Sequence, residues 1–413
     1  MKIQYRVDQL EKGMYVAELD RPWIGTPFLF QGFIIESDEE LGQLRELCKH
    51  VFVDDLKSSA DVNLQKKLHS AVRGSTITVE FQEWKGLEKL RETISKIKTQ
   101  GDDTVVRLTQ YAESDANESS PSDRREHFRE TRNAVTRLID TIAADPKTSQ
   151  WMRILSEQDA SMGRHAMNTT TLAVGFAGAL GWDTALKAVV GEGAMLHDIG
   201  MAKIPKQIRD KPGKLSKDEY NLVKLHPGYA ATKFENNTGL DPRVLEIVRH
   251  HHERLDGSGY PDGLKDDMIP DYVQLVSICD VYDAYITDQC YRSKFTSSAA
   301  VARITKRGSK HFSKQLVESF IRWIGIYPLG SLVYLRNNSL AIVVASDEKK
   351  RLLPTVLLIR DTDGRTLLPR RTLNLGFIES AGLSAEWGLR EIVDPKTVQI
   401  DVRQILIQEL QMR

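Results

Sequence analysis

Two pairs of adjacent residues with metal-ligand side chains constrain the fold of this chain more than any other feature. His197-Asp198 opens the segment HDIGMAKIP, and His251-His252 opens the segment HHERLDGSGYP. Neighbouring residues on a helix point about 100° apart. Both members of a pair therefore approach one centre only where a helix ends, and the glycine-rich turn after His252 provides such an end. We expect helices that end at this centre and residues that converge there from both segments.

The sequence around these pairs has helical periodicity from about residue 127 to 325. Asp241 followed by Pro242 is typical of a helix start, and this helix would end at His251-His252. Other predicted helices span residues 151–182, which contain His165, residues 184–197, and residues 273–287, which contain Asp280 and Asp283. This pattern predicts an all-α bundle whose ligand side chains face inward.

The remaining sequence predicts two smaller domains and a connection, because 413 residues exceed what one core usually organises. Residues 1–80 have the pattern of a small α+β domain. Residues 81–126 combine a helix at 84–98 with a polar linker at 112–126. Residues 326–413 read as a small β-rich module with hairpins around Asn337-Asn338 and Asp363-Gly364. The predicted fold is therefore multi-domain, with the helical bundle of residues 127–325 in its centre.

Composition excludes several classes of function. Lys plus Arg equals Asp plus Glu at 57 each, so the chain has no overall attraction to a nucleic acid polymer or an anionic membrane. Phosphate recognition would then be local. The apolar run at residues 171–182 is too short to span a bilayer, and the N-terminus lacks the apolar core of a signal peptide. Three cysteines without a CxxC motif form no disulfide framework, which favours a reducing cytoplasm.

Imidazole and carboxylate ligands without cysteine suit Mn, Fe or Zn better than they suit a structural zinc site. His50, His69, His127 and His311 stand alone, and we interpret them as ordinary polar residues. His250 adjoins the His251-His252 pair but points in a different direction, so we do not count it as a ligand. Taken singly, His165 and His226 would also be interpreted as structural residues. We interpret them as ligands because the chain also contains the His197-Asp198 pair.

At this point the sequence resembles a known family. HDIGMAKIP and HHERLDGSGYPDGL, in this order and at this separation, resemble the motifs of the HD-GYP domain, a branch of the HD phosphohydrolases that hydrolyses cyclic di-GMP. The resemblance covers about residues 130–325. The N-terminal domain also resembles an uncharacterised domain that often precedes HD-GYP domains. The resemblance implies a helical HD-type fold and two divalent metal ions, with Fe or Mn as the expected metals.

Residue by residue, the resemblance implies a metal site and a substrate site. Asp198 would bridge the two ions, and His197 and Asp198 would be essential for catalysis. Tyr260 and Pro261 belong to the GYP signature, whose tyrosine lies beside the substrate. Gln289 and Arg292 match two basic positions that contact substrate phosphate. The implied metal ligands are His165, His197, Asp198, His226, His251, His252 and Asp280.

Three positions depart from the family pattern. Ser161 replaces a glutamate found in members with three metals, which favours a two-metal site. Met201 stands where the family often has lysine, and Gln289 replaces a basic residue. These changes affect the expected metal count and rate more than the type of reaction.

The expected activity is metal-dependent hydrolysis of cyclic di-GMP to the linear dinucleotide pGpG, with GMP following if that product rebinds. Two alternatives stay open. One is an HD phosphohydrolase for another nucleotide, such as a dNTP or a guanosine polyphosphate, and the other is a receptor that binds cyclic di-GMP without turnover. A surface for a protein partner is offered by Pro22, Trp23, Pro27, Phe28 and Leu29, although burial against the next domain explains these residues better. Whether the chain forms a homo-oligomer stays open.

Overall fold

The computed structural model describes residues 2–10, 14–21, 26, 32–35, 37–54, 121–143, 146–155, 162–234, 240–287, 294–346, 350–380, 382 and 384–412. The predicted helix at 84–98 lies outside these ranges, as do Ser161, Gln289 and Arg292. The chain divides into two compact units. Unit 1 contains Met1–Lys85 and Gly330–Val402, and unit 2 contains Gly86–Leu329 and Arg403–Arg413.

The N-terminal part of unit 1 is a four-stranded antiparallel sheet with one helix, as the alternating pattern predicted. Its elements are β1 (Lys2–Arg6), β2 (Tyr15–Leu19), β3 (Phe33–Ile34), α1 (Asp38–Leu47) and β4 (His50–Asp54), with sheet order β1-β4-β2-β3. Ser37 starts α1 through a capping box with Glu40. Leu44 of the helix is fully buried with Val16 and Val51 of the strands.

The C-terminal part of unit 1 is a five-stranded antiparallel sheet. Its strands are β5 (Leu332–Leu335), β6 (Leu340–Ala345), β7 (Thr355–Arg360), β8 (Thr366–Asn374) and β9 (Leu389–Val393), in the order β8-β7-β6-β5-β9. Both predicted hairpins are present, since Asn338 and Gly364 adopt positive φ in the β5–β6 and β7–β8 turns. Arg371 of β8 donates a hydrogen bond to the carbonyl of Gly32, which joins this part of the unit to the N-terminal part.

Unit 2 is helical, which confirms the fold class predicted for the centre of the chain. Its elements are α2 (Pro121–Ile142), α3 (Thr148–Leu155), α4 (Met162–Ala179), α5 (Thr184–Leu196), a 3-10 helix (Ile199–Lys203), α6 (Lys206–Arg209), α7 (Lys217–Val223), α8 (His226–Phe234), α9 (Pro242–His250), α10 (Asp271–Ile286), α11 (Ser297–His311) and α12 (Lys314–Ile324). Residues 121–126, which the composition assigned to the linker, form the start of α2.

The core of unit 2 holds the ligand-bearing helices in place. Phe176 of α4 stacks on Trp323 of α12 with ring centres 5.4 Å apart, and it meets Phe320 edge to face. Asp183 caps α5, and Asp241 with Pro242 starts α9 as predicted. Helix termini are therefore fixed by local sequence, while apolar packing sets the positions of the helices relative to one another.

Three helices of the C-terminal region were not predicted. They are α13 (Leu375–Ser380), α14 (Ser384–Trp387) and α15 (Val402–Met412). Arg403, at the start of α15, donates a hydrogen bond to the carbonyl of Leu155 at the end of α3, and from this residue onward the chain belongs to unit 2. Within the described ranges, no helix combines the length and apolar character that crossing a membrane requires.

Candidate metal centre

The ends of several helices deliver potential metal ligands to one place in unit 2. His197 directly follows α5, His226 begins α8, and His251-His252 follow α9, while His165 and Asp280 lie within α4 and α10. The residues form two groups, and within each group the ligand atoms all lie within 4.8 Å of one another. One group is Asp198, His226, His251 and His252, and the other is His165, His197 and Asp280. The structure thus brings together all seven predicted ligand residues.

Asp198 lies between the two groups and faces both of them. Its Oδ1 is 3.2 Å from Nε2 of His226 and 3.6 Å from Nε2 of His251. Its Oδ2 is 3.5 Å from Nε2 of His197 and 3.9 Å from Nε2 of His165. Each carboxylate oxygen is therefore directed at a different histidine pair, which is the arrangement that a bridging ligand requires.

Backbone carbonyls at helix ends orient three of the histidines. The last carbonyls of a helix have no partner within the helix, and here each accepts a hydrogen bond from the Nδ1–H of the histidine three residues later. The pairs are His197 with Ala194 at 2.7 Å, His226 with Val223 at 2.7 Å and His251 with Val248 at 3.0 Å. Because Nδ1 carries the proton, the Nε2 lone pair of each ring is directed at the other ligands.

His165 is oriented by a carboxylate instead. Its Nδ1 lies 2.8 Å from Oδ2 of Asp283 and its Nε2 lies 3.0 Å from Oδ1 of Asp280. Burial acts to lower the pKa of His165, but the hydrogen bonds with Asp280 and Asp283 outweigh it and raise that pKa well above its ordinary value. Burial dominates at His251, whose pKa falls to about 4, so this ring stays neutral at pH 7.

The arrangement fits divalent cations on two observations. Nε2 of His197 is buried and has no hydrogen-bond partner among the described residues. Nε2 of His226 and Nε2 of His251 lie 3.4 Å apart, and since Nδ1 of each ring faces a backbone carbonyl, neutral rings turn their Nε2 lone pairs toward each other. Such lone pairs repel unless a cation lies close to both. A nitrogen and oxygen donor set without sulfur suits Fe, Mn or Zn.

Two motif glycines allow the backbone to pass close to the ligand residues. A Cβ at Gly200 would overlap the backbone carbonyl of His226, so the 3-10 helix after Asp198 packs against the start of α8 only with glycine there. A Cβ at Gly259 would overlap the backbone of Glu253 and of Arg254. These close approaches explain in physical terms why both motifs contain glycine at these positions.

The GYP segment lies against the histidines. The ring of Tyr260 stacks on the ring of His252, with centres 4.7 Å apart and planes inclined by 28°. The peptide bond between Tyr260 and Pro261 is cis. Burial raises the pKa of the Tyr260 hydroxyl, so Tyr260 is neutral at physiological pH. Tyr260 thus forms one wall of the centre. The other predicted substrate contacts, Gln289 and Arg292, lie outside the described residues.

Glu253 is a residue of the site that the sequence analysis passed over. Its side chain is 1% exposed, and its carboxylate accepts hydrogen bonds from the backbone N–H groups of Asp262, Gly263 and Leu264 at 2.6, 2.9 and 3.1 Å. The loop that follows Tyr260 is thereby fastened to the end of α9. A glutamate directly after two ligand histidines, followed by a glycine-rich turn, was the available signal.

Asp283 and Arg153 were also missed. Asp283 is fully buried and forms an ion pair with buried Arg153, whose guanidinium also donates to the Thr287 hydroxyl at 2.8 Å. The position of Asp283, three residues after Asp280 on a helix, places both carboxylates on one face and could have identified it. His250 lies outside both ligand groups and pairs with Asp262.

Comparisons with known proteins agree with this site. Residues 149–316 match the HD domain family, and residues 2–149 match a domain of unknown function, DUF3391. A cyclic di-GMP phosphodiesterase of Pseudomonas aeruginosa is 29% identical over 381 residues, which cover 90% of this chain and 88% of that protein.

Two further relatives match a smaller share of the chain. The cyclic di-GMP phosphodiesterase response regulator RpfG of Xanthomonas campestris is 38% identical over 136 residues, which cover 32% of this chain and 36% of that protein. A 3'3'-cGAMP-specific phosphodiesterase of Vibrio cholerae is 35% identical over 124 residues, which cover 30% of this chain and 24% of that protein. The chain therefore contains a region that matches the HD domain family, preceded by a region that matches DUF3391, and the HDIG and HHERLDGSGYP motifs lie within the HD domain region.

Proposed function

We propose that this chain is a phosphodiesterase that uses two divalent metal ions to hydrolyse cyclic di-GMP. The observation that carries the proposal is the position of Asp198 between two groups of ligand side chains, one of which includes His252 under the ring of Tyr260. The names of the Pseudomonas and Xanthomonas relatives support the substrate. Fe and Mn are the metals we expect from the resemblance to the HD-GYP motifs, and a donor set of imidazole and carboxylate without thiolate is compatible with both.

The residues of the site have different roles in the proposed reaction. His165, His197 and Asp280 would hold one ion, His226, His251 and His252 would hold the other, and Asp198 would contact both. Ions held in this way supply Lewis acidity to the scissile phosphate and a nucleophile at neutral pH. The ring of Tyr260 shields the phosphate from bulk water on one side. The Asp283 carboxylate and the helix-end carbonyls keep the imidazoles in the orientation that ligation requires.

In the proposed reaction, water adds to phosphorus and the bond from phosphorus to the 3′ oxygen breaks. The 3′ oxygen leaves with a proton, and the ring opens to pGpG. GMP follows if pGpG binds again. The 57 basic and 57 acidic residues give the protein no overall charge to attract this anion. Its affinity must therefore come from local cations at the site.

Product analysis tests the proposal. Protein of measured metal content is incubated with cyclic di-GMP under anaerobic conditions with Fe or Mn, and products are separated by chromatography. We expect pGpG from the wild type and no product from Asp198→Ala or His197→Ala. Tight binding without turnover would instead assign a receptor function. Retained metal-dependent hydrolysis in both variants would contradict the proposed metal centre.

A second candidate substrate comes from the Vibrio relative, whose name specifies 3'3'-cGAMP. The same assay with 3'3'-cGAMP, a dNTP and a guanosine polyphosphate at equal concentration decides between them. A higher kcat/KM for cyclic di-GMP than for the other three supports the proposal. A higher kcat/KM for one of the other three compounds would assign that compound as the substrate, while the proposed metal-dependent chemistry would stand.

A further inference from the structure

A layered series of side chains leads from the ligand cluster to the surface of unit 2. The ring of Tyr260 stacks on His252 in the cluster. Nζ of Lys224 lies 5.6 Å from the centre of the Tyr260 ring and 4.9 Å from the centre of the Tyr220 ring. Both distances are within the range of a cation–π contact. The ammonium group of Lys224 therefore adjoins one ring at the candidate site and another farther out.

The helix that carries Tyr220 is fixed at its start. Ser216 and Glu219 form a capping box at the N-terminus of α7, and the ammonium of Lys211 lies 2.8 and 2.7 Å from the two carboxylate oxygens of Glu219. Tyr220 and Lys224 are four residues apart, so they share one face of this helical turn. Lys224 also lies two residues before His226. The pair is thus held in place next to a ligand residue.

Lys224 has the properties of a cation that binds an anionic ligand. It is half-buried, and within the described part of the chain no carboxylate lies within ion-pair distance of its ammonium group. Arg254, another cation close to Tyr260, is engaged differently. Its guanidinium donates to the carbonyl oxygens of His251 and Glu253 at 3.0 and 2.7 Å and lies over the ring of Phe312.

Tyr220 offers an open aromatic face beside this cation. Its side chain is 46% exposed, whereas Phe176, Phe234 and Phe320 of the same unit are buried in its core. An exposed aromatic ring is a platform on which a nucleobase stacks, and stacking tolerates any base because every base has a π face. An ammonium next to such a ring supplies charge for the phosphate attached to that base.

We infer that Lys224 and Tyr220 form a subsite for the part of the substrate outside the metal cluster, in which Lys224 binds a phosphate and Tyr220 stacks against a purine base. The inference rests on the proposed function. A cyclic dinucleotide has two phosphates, and while one is cleaved at the cluster the other needs a separate cation. The subsite makes the enzyme selective for a dinucleotide over a small phosphodiester.

The test separates substrate binding from chemistry. For Lys224→Ala, we expect KM for cyclic di-GMP to rise about tenfold with kcat nearly unchanged, since a charge-assisted contact to phosphate is lost. For Tyr220→Ala, we expect a similar rise of about tenfold, from lost stacking. Lys224→Arg and Tyr220→Phe should restore KM to near the wild-type value. Bis(4-nitrophenyl) phosphate has no second phosphate and no base, so Lys224→Ala should affect its hydrolysis far less.

Lys217→Ala is the matched control, because Lys217 is an exposed lysine on the same helix, one turn before Tyr220. If Lys224→Ala and Lys217→Ala have the same KM for cyclic di-GMP while the wild type turns it over, the subsite is wrong and the proposed function stands. If the wild type hydrolyses bis(4-nitrophenyl) phosphate but not cyclic di-GMP, the proposed substrate is wrong and the subsite falls with it. A loss of kcat for both substrates in Lys224→Ala would place Lys224 in the chemistry and also overturn the subsite.

Discussion

The buried ion pair of Arg153 and Asp283 contacts His165 on the Nδ1 side of its ring. Arg153 and Asp283 are almost fully excluded from water, and Asp283 also faces Nδ1 of His165 at 2.8 Å. Burial alone would raise the pKa of Asp283, but the charge of Arg153 and the hydrogen bond with His165 lower it. Asp283 therefore stays ionised and accepts the Nδ1 proton, which leaves Nε2 of His165 directed at Asp280 and Asp198.

Asp283→Asn should weaken metal binding by about 10- to 100-fold, because partners that orient a ligand histidine have effects of this size. It should also lower the free energy of unfolding of the metal-free protein by on the order of 3 kcal/mol, since Arg153 loses its buried counter-charge. Chelator-competition titration and urea denaturation measure the two effects. Asp271→Asn, in the exposed first turn of the same helix, is the control. Equal metal affinity in both variants would contradict the orienting role.

Individual residues differ in how far the sequence reveals them. The seven ligand residues were predicted because the His197-Asp198 and His251-His252 pairs lie in motifs that resemble those of a known family. Arg153 lies in no motif and meets Asp283 only through packing of α3 against the bundle, 130 positions away along the chain. Local sequence patterns contain no information about a pair so far apart in the chain. The three-residue spacing from Asp280 to Asp283, in contrast, was a local signal for Asp283.

At the scale of elements, the loop that follows α9 depends on one side chain. Glu253 accepts three backbone N–H groups in a region from which water is excluded. A buried backbone donor that loses its acceptor is costly. The chain turns sharply at Gly259 and places Tyr260 against His252. The loop therefore connects the end of α9 to the part of the site where we propose that the substrate binds.

Glu253→Gln should loosen this loop without unfolding the bundle. The glutamine amide offers one acceptor oxygen in place of two, and loss of hydrogen bonds to a charged acceptor costs about 1.5–3 kcal/mol. We expect faster hydrogen exchange at the amides of Asp262, Gly263 and Leu264, and a lower kcat/KM for the substrate. Glu318→Gln, at an exposed position of α12, should change neither quantity. Unchanged exchange at the three loop amides would rule out the anchoring role.

The start of α9 allows a prediction with a pH dependence. Asp241 caps this helix through the N–H of Arg243, and the Arg243 side chain lowers the pKa of Asp241 below its ordinary 3.8. Asp241→Ala should destabilise the protein by about 1 kcal/mol at pH 7, whereas Asp241→Asn retains a capping oxygen and should cost less.

The sign of the pH effect follows from linkage. A carboxyl group whose pKa is lower in the folded state contributes stability above its unfolded pKa, and this stability is lost as pH falls through the folded value. The difference between wild type and Asp241→Asn should therefore be constant from pH 7 to pH 5 and shrink below pH 3.8. Urea denaturation across this range measures it. A difference that grows on acidification would contradict the assignment.

Elements were predictable where periodicity and caps agreed. Asp241 followed by Pro242 marks a helix start in the sequence and in the structure. The start of α2 was assigned to a linker because residues 121–126 are polar, although Pro121 suits the first turn of a helix. The last helix, α15, was missed because VRQILIQELQM contains β-branched residues that are also typical of strands.

At the scale of the whole molecule, unit 1 combines the N-terminal part of the chain with the distant segment Gly330–Val402. The hydrogen bond from Arg371 to Gly32 joins residues 339 positions apart. The sequence predicted both sheets from local alternation, but no local pattern reports which distant segments pack in one unit. By contrast, all seven candidate ligand residues lie in unit 2, within a span of the chain that is continuous in sequence.

Metal removal should consequently act on unit 2 first. A ligand that binds only the folded state stabilises it by RT ln(1 + [L]/Kd), about 4 kcal/mol at a thousandfold excess over Kd. Chelation should then lower the unfolding temperature of unit 2 by on the order of 10 °C. Hydrogen exchange followed by mass spectrometry resolves the units, and we expect amides of α4, α8 and α10 to lose protection while those of β5, β6 and β7 keep theirs.

The variant Asp198→Ala decides whether this response comes from the candidate centre. Asp198 is the residue that faces both ligand groups, so its removal should weaken both ions together. We expect the variant to exchange like the chelated wild type and to show no further change when the chelator is added. If chelation still destabilises the variant as much as the wild type, the stabilising metal binds elsewhere. If chelation deprotects unit 1 equally, the ligand cluster is not what couples metal to stability, because none of its residues belongs to that unit.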